Sequence, residues 1–97
     1  MTVKVQSVHF NADKKLLAFI DERLNKLTNL NDGILKSEVI LRLDKSDDTE
    51  NKIAEIKLHI SGNDLFAKKQ CKSFEEATDK AVEALRKQVA KHKEKVA

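Results

Sequence analysis

The sequence predicts an α+β fold with the element order β-α-β-β-β-α, in which both helices lie on one face of a four-stranded sheet. Two segments place apolar residues at spacings of three and four, which is typical of amphipathic helices. Four other segments alternate apolar and polar residues, which is typical of half-buried strands. Each strand has a single consistently apolar face, so both helices are expected to cover that same face.

The first strand and the first helix are predicted for the opening third of the chain. Residues 2–8 alternate, with Val3 on the apolar face, which predicts a strand. Either Asn11 or Asp13 can cap the backbone amides of the following helix. One apolar stripe runs along that helix and consists of Leu16, Phe19, Ile20, Leu24 and Leu27. The polar stretch 29–33, which closes on a glycine, is expected to end the helix.

Three strands are predicted for the middle of the chain, at residues 37–44, 53–61 and 65–70. Residues 44–51 form a polar hairpin tip between the first two, and Ser61–Asp64 is a hairpin turn before the third. The side chains expected to face the core are Val39, Leu41, Leu43, Ala54, Ile56, Leu58, Ile60, Leu65 and Ala67. The opposite face of the sheet is expected to be polar.

The second helix is predicted from Phe74 to the end of the chain. Ser73 and Glu76 have the spacing of a capping box, in which each side chain satisfies a backbone amide. The apolar stripe of this helix consists of Phe74, Ala77, Ala81, Leu85, Val89, His92 and Val96. As a helix, residues 74–96 span roughly 35 Å, whereas strands of eight or nine residues span about 26–30 Å. The final turns are therefore expected to overhang the sheet.

Composition excludes several classes of function. A chain of 97 residues is expected to form one domain, 1–97. The single Cys71 excludes an internal disulfide, and no apolar run is long enough to cross a membrane. The N-terminus has no apolar block like that of a signal peptide, so a soluble cytoplasmic protein is expected. The three histidines lack the spacing of metal ligands, and no glycine-rich phosphate loop is present. We therefore expect no metal, cofactor, small-molecule substrate or enzymatic activity.

Positive charge is concentrated at the end of the second helix. Residues 86–97 contain five lysines and arginines against Glu94 alone, a local charge of +4. The other 85 residues hold 14 basic and 15 acidic groups, a balance of −1. A basic helix end on a near-neutral body is suited to bind a polyanion, because several phosphates release their counterions together. The alternative is that these cations only complement the helix dipole, which needs one or two of them.

The mode of RNA recognition is limited by the scarcity of aromatic residues. Proteins that bind single-stranded RNA on a sheet stack bases on exposed aromatic side chains, and only Phe66 is placed to do so. Recognition of shape and phosphate remains, which is how double-stranded or structured RNA is bound. The α-β-β-β-α part of the predicted order is also that of the double-stranded RNA-binding domain.

The sequence resembles the ribosome hibernation promoting factors, also called ribosome-associated inhibitors or the sigma-modulation family. The resemblance covers nearly the whole chain in the order and spacing of its elements. Its most specific part is residues 85–95, Leu-Arg-Lys-Gln-Val-Ala-Lys-His-Lys-Glu-Lys, which is similar to a Leu-x-Arg-Gln-Leu-x-Lys-His-Lys-x-Lys ending in that family. Ala77–Asp79 and Asp64–Ala67 support it. Ser73–Phe74 departs from the aromatic or Met-Tyr pair that relatives often carry. Because the sequence ends at Ala97, it resembles the short form of the family.

The resemblance implies a ribosome hibernation factor that acts when translation slows in stationary phase or stress. It implies binding to the small ribosomal subunit and its rRNA at the decoding region, where mRNA and tRNA access is blocked. The free protein is expected to be a monomer. The implied RNA contacts are Arg23, Lys26, Lys80, Arg86, Lys87, Lys91, His92, Lys93 and Lys95. Two alternatives are a regulatory protein-interaction module that uses the polar sheet face, and a generic binder of structured RNA.

Overall fold

The computed structural model describes residues 2–28, 33–45 and 49–96, with side chains described as far as Lys91. The order β-α-β-β-β-α is confirmed. The elements are β1 (Thr2–Ser7), α1 (Lys14–Thr28), β2 (Ile34–Leu43), β3 (Lys52–Ile60), β4 (Asn63–Cys71) and α2 (Phe74–Val96). None of the described helices combines the length and apolar character needed to span a membrane.

The four strands form one mixed sheet in the order β1-β2-β3-β4. β1 pairs with β2 in parallel, because α1 carries the chain back before β2 begins. The other two pairs are antiparallel and are joined by hairpins. The second hairpin has a two-residue turn, Ser61–Gly62, in which Gly62 has a φ of 84° that only glycine adopts without strain. In this strand order, β1 and β4 lie at the two edges of the sheet.

The core lies between the sheet and the two helices, as predicted. Four residues of the α1 stripe are buried: Leu16, Ile20, Leu24 and Leu27. From α2 the buried residues are Ala77, Thr78, Ala81, Leu85 and Val89. They pack against the alternating apolar residues of β2, β3 and β4 in one cluster. The two alanines in the first half of α2 are small, so this part of the helix can approach the sheet closely.

Both helix starts are fixed by local hydrogen bonds. Asp13 is the cap of α1, since its Oδ1 accepts a hydrogen bond from the Leu16 amide at 2.8 Å. Ser73 Oγ accepts one from the Glu76 amide at 3.1 Å and caps α2. The ring of Phe10 stacks on that of Phe74 at 4.9 Å between centroids, which ties the connection before α1 to the first turn of α2.

The structure differs from the predicted strands most clearly at the start of β2, at Leu43 and in the length of β4, while the limits of β1 and β3 shift by one residue. β2 begins at Ile34, before the predicted residue 37, and an irregular register between Ile34 and Lys36 leaves the Leu35 side chain 63% exposed. This irregularity interrupts the alternation on which the prediction depended. Leu43 was predicted to face the core but is 48% exposed at the last position of β2. β4 is also longer than predicted and ends at Cys71, which is buried.

The helix α2 continues as predicted to Val96. The last buried side chain among those described is Val89. His92 and Val96, which were predicted to extend the apolar stripe, lie outside the described side chains, and residues 46–48 of the predicted hairpin tip lie outside the described residues.

Candidate nucleic-acid interface

The helix α2 carries most of the predicted RNA contacts and lies along β4. Its start follows β4 directly, so it runs back beside that strand in the opposite direction. Near the other end, Gln88 Nε2 donates a hydrogen bond of 2.9 Å to the Phe66 carbonyl of β4. The cations of α2 are thereby divided between two flanks, one facing α1 and one facing the free edge of β4.

On the α1 flank, the two helices enclose a groove of about 350 Å³. It is lined by Arg23, Lys26, Leu27, Asp79, Val82, Glu83 and Arg86. Three of the predicted contact residues, Arg23, Lys26 and Arg86, are thus brought together, although Arg23 and Arg86 are 63 positions apart in the sequence.

Each cation of this groove contacts a carboxylate. Arg23 Nε lies 2.7 Å from Asp79 Oδ1, and its Nη1 lies 3.2 Å from Glu22 Oε1. The guanidinium of Arg23 also lies over the Phe19 ring, 4.4 Å from the centroid, which fixes its position further. Lys26 lies 4.0 Å from the same Glu22 oxygen.

Arg86 forms the best-oriented ion pair of the groove. Its Nε and Nη2 donate hydrogen bonds to Glu83 at 3.1 and 2.8 Å, a two-point geometry. These hydrogen bonds lower the pKa of the Glu83 carboxyl and raise the pKa of Arg86. Three cations therefore face three carboxylates, Glu22, Asp79 and Glu83, and the groove is close to neutral.

The β4 flank of α2 has a different balance of positive and negative charge. Lys80 pairs with Glu76 at 3.3 Å, and this hydrogen bond raises the pKa of the Lys80 ammonium group. Lys87 and Lys91 are exposed, and neither forms an ion pair with any carboxylate that the structure describes. The charge of Lys87 contributes to the lowered pKa of Glu83. Because neither lysine is held in a described ion pair, these two are the predicted contacts best placed to attract phosphate.

Three further predicted contacts, His92, Lys93 and Lys95, lie outside the described side chains. The helix backbone passes through all three positions. Their role in RNA binding stays a prediction.

The polar face of the sheet, on which the protein-interaction alternative depends, is confirmed but is crossed by ion pairs. Glu55 contacts Arg42 at 2.8 Å and Lys68 at 3.9 Å. The two ring nitrogens of His59 lie 3.0 Å from Asp64 and 3.1 Å from Glu38, and the hydrogen bond to His59 lowers the pKa of Glu38. This face therefore presents mixed charge around Phe66, which is 53% exposed.

The partners of the cations were the part of the site that the sequence analysis missed. The Glu83–Arg86 pair has the i, i+3 spacing of neighbours on a helix and was available as a signal. The Arg23–Asp79 pair joins residues 56 positions apart, so no local pattern indicates it. Within the described part of the chain, no group of histidine, cysteine or acidic side chains could hold a metal ion.

Comparisons with known proteins agree with this architecture. Residues 3–97 match the model of a family described as sigma 54 modulation protein / S30EA ribosomal protein. The structure of the Thermus thermophilus Protein Y N-terminal domain superposes with a TM-score of 0.83 at 22% identity, covering 95% of this chain and 99% of that one. A ribosomal subunit interface protein from Coxiella burnetii superposes with a TM-score of 0.85 at 16% identity, covering 96% and 98%. No curated protein sequence matches the chain.

Proposed function

The chain belongs to the sigma 54 modulation protein / S30EA ribosomal protein family, and on this premise we propose that it is a cytoplasmic ribosome hibernation factor. Proteins of this family bind ribosomes and are not enzymes. In the proposed function the domain binds rRNA at the decoding region of the small subunit, as a monomer before binding. It blocks access of mRNA and tRNA there and inhibits translation in stationary phase or under stress.

The observation that carries the proposal is the pair of exposed lysines near the end of α2. Lys87 and Lys91 lie one helical turn apart on the same flank, and neither forms an ion pair with a described carboxylate. Lys93 and Lys95 continue this basic segment in the sequence. Phosphate groups are the partners that such a segment attracts, because each contact releases condensed counterions. Arg23, Lys26 and Arg86 are proposed as weaker contacts, since each must first leave a carboxylate.

Competition on purified small ribosomal subunits tests the decoding-region proposal. The labelled protein is bound to vacant subunits and then challenged with a polyuridine message and its matching tRNA. If both occupy the same channel, message and tRNA together should displace the protein and the protein should inhibit polyphenylalanine synthesis. Simultaneous binding without inhibition would show that the protein occupies a different part of the subunit.

A second candidate function is a protein-interaction module on the polar sheet face, which is favoured by the exposed Phe66. Phe66→Ala separates the two candidates, because this side chain lies on the face of β4 opposite the buried Leu65 and Ala67, away from the helices. Under the leading proposal, this variant should bind small subunits like the parent. Loss of subunit binding in Phe66→Ala would assign the contact to the sheet face instead.

A further inference from the structure

The free edge of the sheet carries lysines that the sequence analysis did not assign to the RNA interface. Lys69 belongs to β4 and Lys72 to the short connection between β4 and α2. Both side chains are exposed, and neither forms an ion pair with a described carboxylate. Lys69 is unusual because it shares the core-facing side of β4 with the buried Ala67 and Cys71. It stays exposed because β4 is the edge strand.

One hydrogen bond and the antiparallel course of the two elements place Lys69 relative to α2, and the electrostatics at Cys71 agree with that placement. At one end, Gln88 reaches the Phe66 carbonyl. At the other end, burial raises the pKa of the Cys71 thiol, and the nearby ammonium groups of Lys80 and Lys69 oppose this rise. Both lysines therefore lie close to Cys71. Since α2 runs antiparallel to β4, Lys69 lies beside the stretch of α2 between Lys80 and Gln88.

We propose that Lys69 and Lys72 extend the RNA-binding surface of α2 along this edge, forming what is here called the β4-edge strip, which binds the phosphate backbone of double-helical rRNA. The strip consists of Lys69, Lys72, Lys80, Lys87 and Lys91. Along α2 alone it extends about 16 Å from Lys80 to Lys91, at 1.5 Å per residue. It leads from the basic end of α2 towards the start of that helix. The proposal rests on the proposed function for the identity of the RNA.

The β4-edge strip and the groove between the helices differ in the number of carboxylates that face their cations. The acidic groups that act on the strip are Glu76, which pairs with Lys80, Glu50, which raises the pKa of Lys80 and Cys71, and Glu83, whose pKa is lowered in part by the charge of Lys87. Five ammonium groups thus face three carboxylates, one of which, Glu83, is already paired with Arg86, whereas three cations face three carboxylates in the groove. Positive potential towards a polyanion is therefore stronger along the β4 edge than in the groove. Of the ion pairs described in the groove, Arg23–Asp79 joins α1 to α2, whereas Lys26–Glu22 and Arg86–Glu83 each lie within one helix.

A structural role for Lys69 is the competing explanation. A charged side chain that points inward on an edge strand prevents edge-to-edge pairing of sheets. Under that explanation, loss of the charge would promote self-association and leave RNA binding unchanged. Binding and oligomeric state therefore have to be measured on the same variant.

The test compares three double variants of the whole chain. The first combines Lys69→Gln with Lys72→Gln and alters the strip. The second combines Lys14→Gln with Lys15→Gln as a control of equal charge change, and the third combines Arg23→Gln with Lys26→Gln in the groove between the helices. Binding is measured to purified small subunits and to a plain RNA duplex across a range of salt concentrations. The Lys69/Lys72 pair should weaken binding about tenfold at low salt and reduce the slope of log affinity against log salt by about one to two. The two other pairs should have smaller effects.

Each outcome has a distinct meaning. If the Lys69/Lys72 variant binds both probes like the Lys14/Lys15 control, the proposal that the β4-edge strip binds RNA is overturned, while the proposed function stands. Self-association of that variant with unchanged binding would assign Lys69 to edge protection. If the parent binds the duplex but not small subunits, the proposed function fails, and the duplex data alone decide whether the strip binds RNA. Binding of the parent to neither probe overturns both.

Discussion

At the scale of single residues, the Glu83–Arg86 pair shows how a local contact sets the charge available to a ligand. Arg86 donates two hydrogen bonds to Glu83, and these lower the pKa of the carboxyl. A phosphate that binds Arg86 must therefore compete with an ionised carboxylate. Lys87, the next residue, also lowers the pKa of Glu83 by its charge but forms no ion pair with a described carboxylate. Neighbouring cations of one basic segment are thus not equivalent as ligands for RNA.

Arg86→Gln should raise the pKa of the Glu83 carboxyl towards its ordinary value of 4.5, because the charged donor is removed. Carboxyl chemical shifts followed by NMR during an acid titration measure this directly. In the parent, the lowered pKa means that this pair stabilises the fold above pH 4.5 and that the contribution is lost as the pH falls through the lowered pKa. Arg23→Gln is the control, since Arg23 contacts Glu22 and Asp79 instead. An unmoved Glu83 midpoint in Arg86→Gln would contradict the assignment.

Thr78 offers a second test at this scale. The residue is fully buried in α2, and its hydroxyl has no hydrogen-bond partner among the described residues. Thr78→Val keeps the shape and removes the unsatisfied group, so the free energy of unfolding should rise by about 1 kcal/mol. Thr28→Val is the matched control, because the Thr28 hydroxyl donates to the Asn25 carbonyl at 2.6 Å. Chemical unfolding of both variants measures the difference, and a loss of stability in Thr78→Val would contradict the prediction.

At the scale of elements, the packing of α2 on the sheet depends on large side chains in the centre of the core. Leu58 of β3 and Leu85 of α2 are both fully buried in one cluster. Leu58→Ala or Leu85→Ala should lower the free energy of unfolding by about 2–5 kcal/mol, since each leaves a cavity. Leu35→Ala, at a residue that is 63% exposed, should change it by less than about 0.5 kcal/mol. Denaturant midpoints that do not separate Leu85→Ala from Leu35→Ala would mean that α2 does not pack as described.

Elements defined by a repeating local signal were predictable from the sequence. The α1 stripe, the alternation of β3 and the Ser73 cap each depend on residues close together in the chain, so the pattern and the structure coincide. The start of β2 was not predictable, because the irregular register at Leu35 interrupts the alternation. The acidic partner of Arg23 and the position of Lys69 beside α2 were not predictable either. Both depend on how α1, α2 and β4 pack together, and that packing leaves no local pattern.

At the scale of the whole molecule, charge is distributed over surfaces with different degrees of neutralisation. The groove between the helices and the polar sheet face both hold their cations beside carboxylates. The β4 flank of α2 and the chain end that follows it hold an excess of lysines. A near-neutral body with one basic end is expected to approach a large polyanion in a preferred orientation, since only that end is strongly attracted.

Replacing Lys87, Lys91, Lys93 and Lys95 with Gln tests this distribution directly. Binding to small ribosomal subunits should weaken strongly, and the slope of log affinity against log salt should fall by about one for each lost phosphate contact. Stability should be almost unchanged, because exposed charges contribute little to folding. The control replaces Lys4, Lys14, Lys36 and Lys57 with Gln, which alters net charge equally on other surfaces.

The comparison of these two variants separates a localised anchor from attraction by net charge. A localised anchor predicts a much larger loss of affinity and of salt dependence for the α2 variant than for the control. Equal losses would mean that the RNA responds to total charge alone. Unchanged binding by the α2 variant, together with a loss in the control, would move the anchor to the sheet face around Lys57. The lysines at the end of α2 would then only complement the helix dipole.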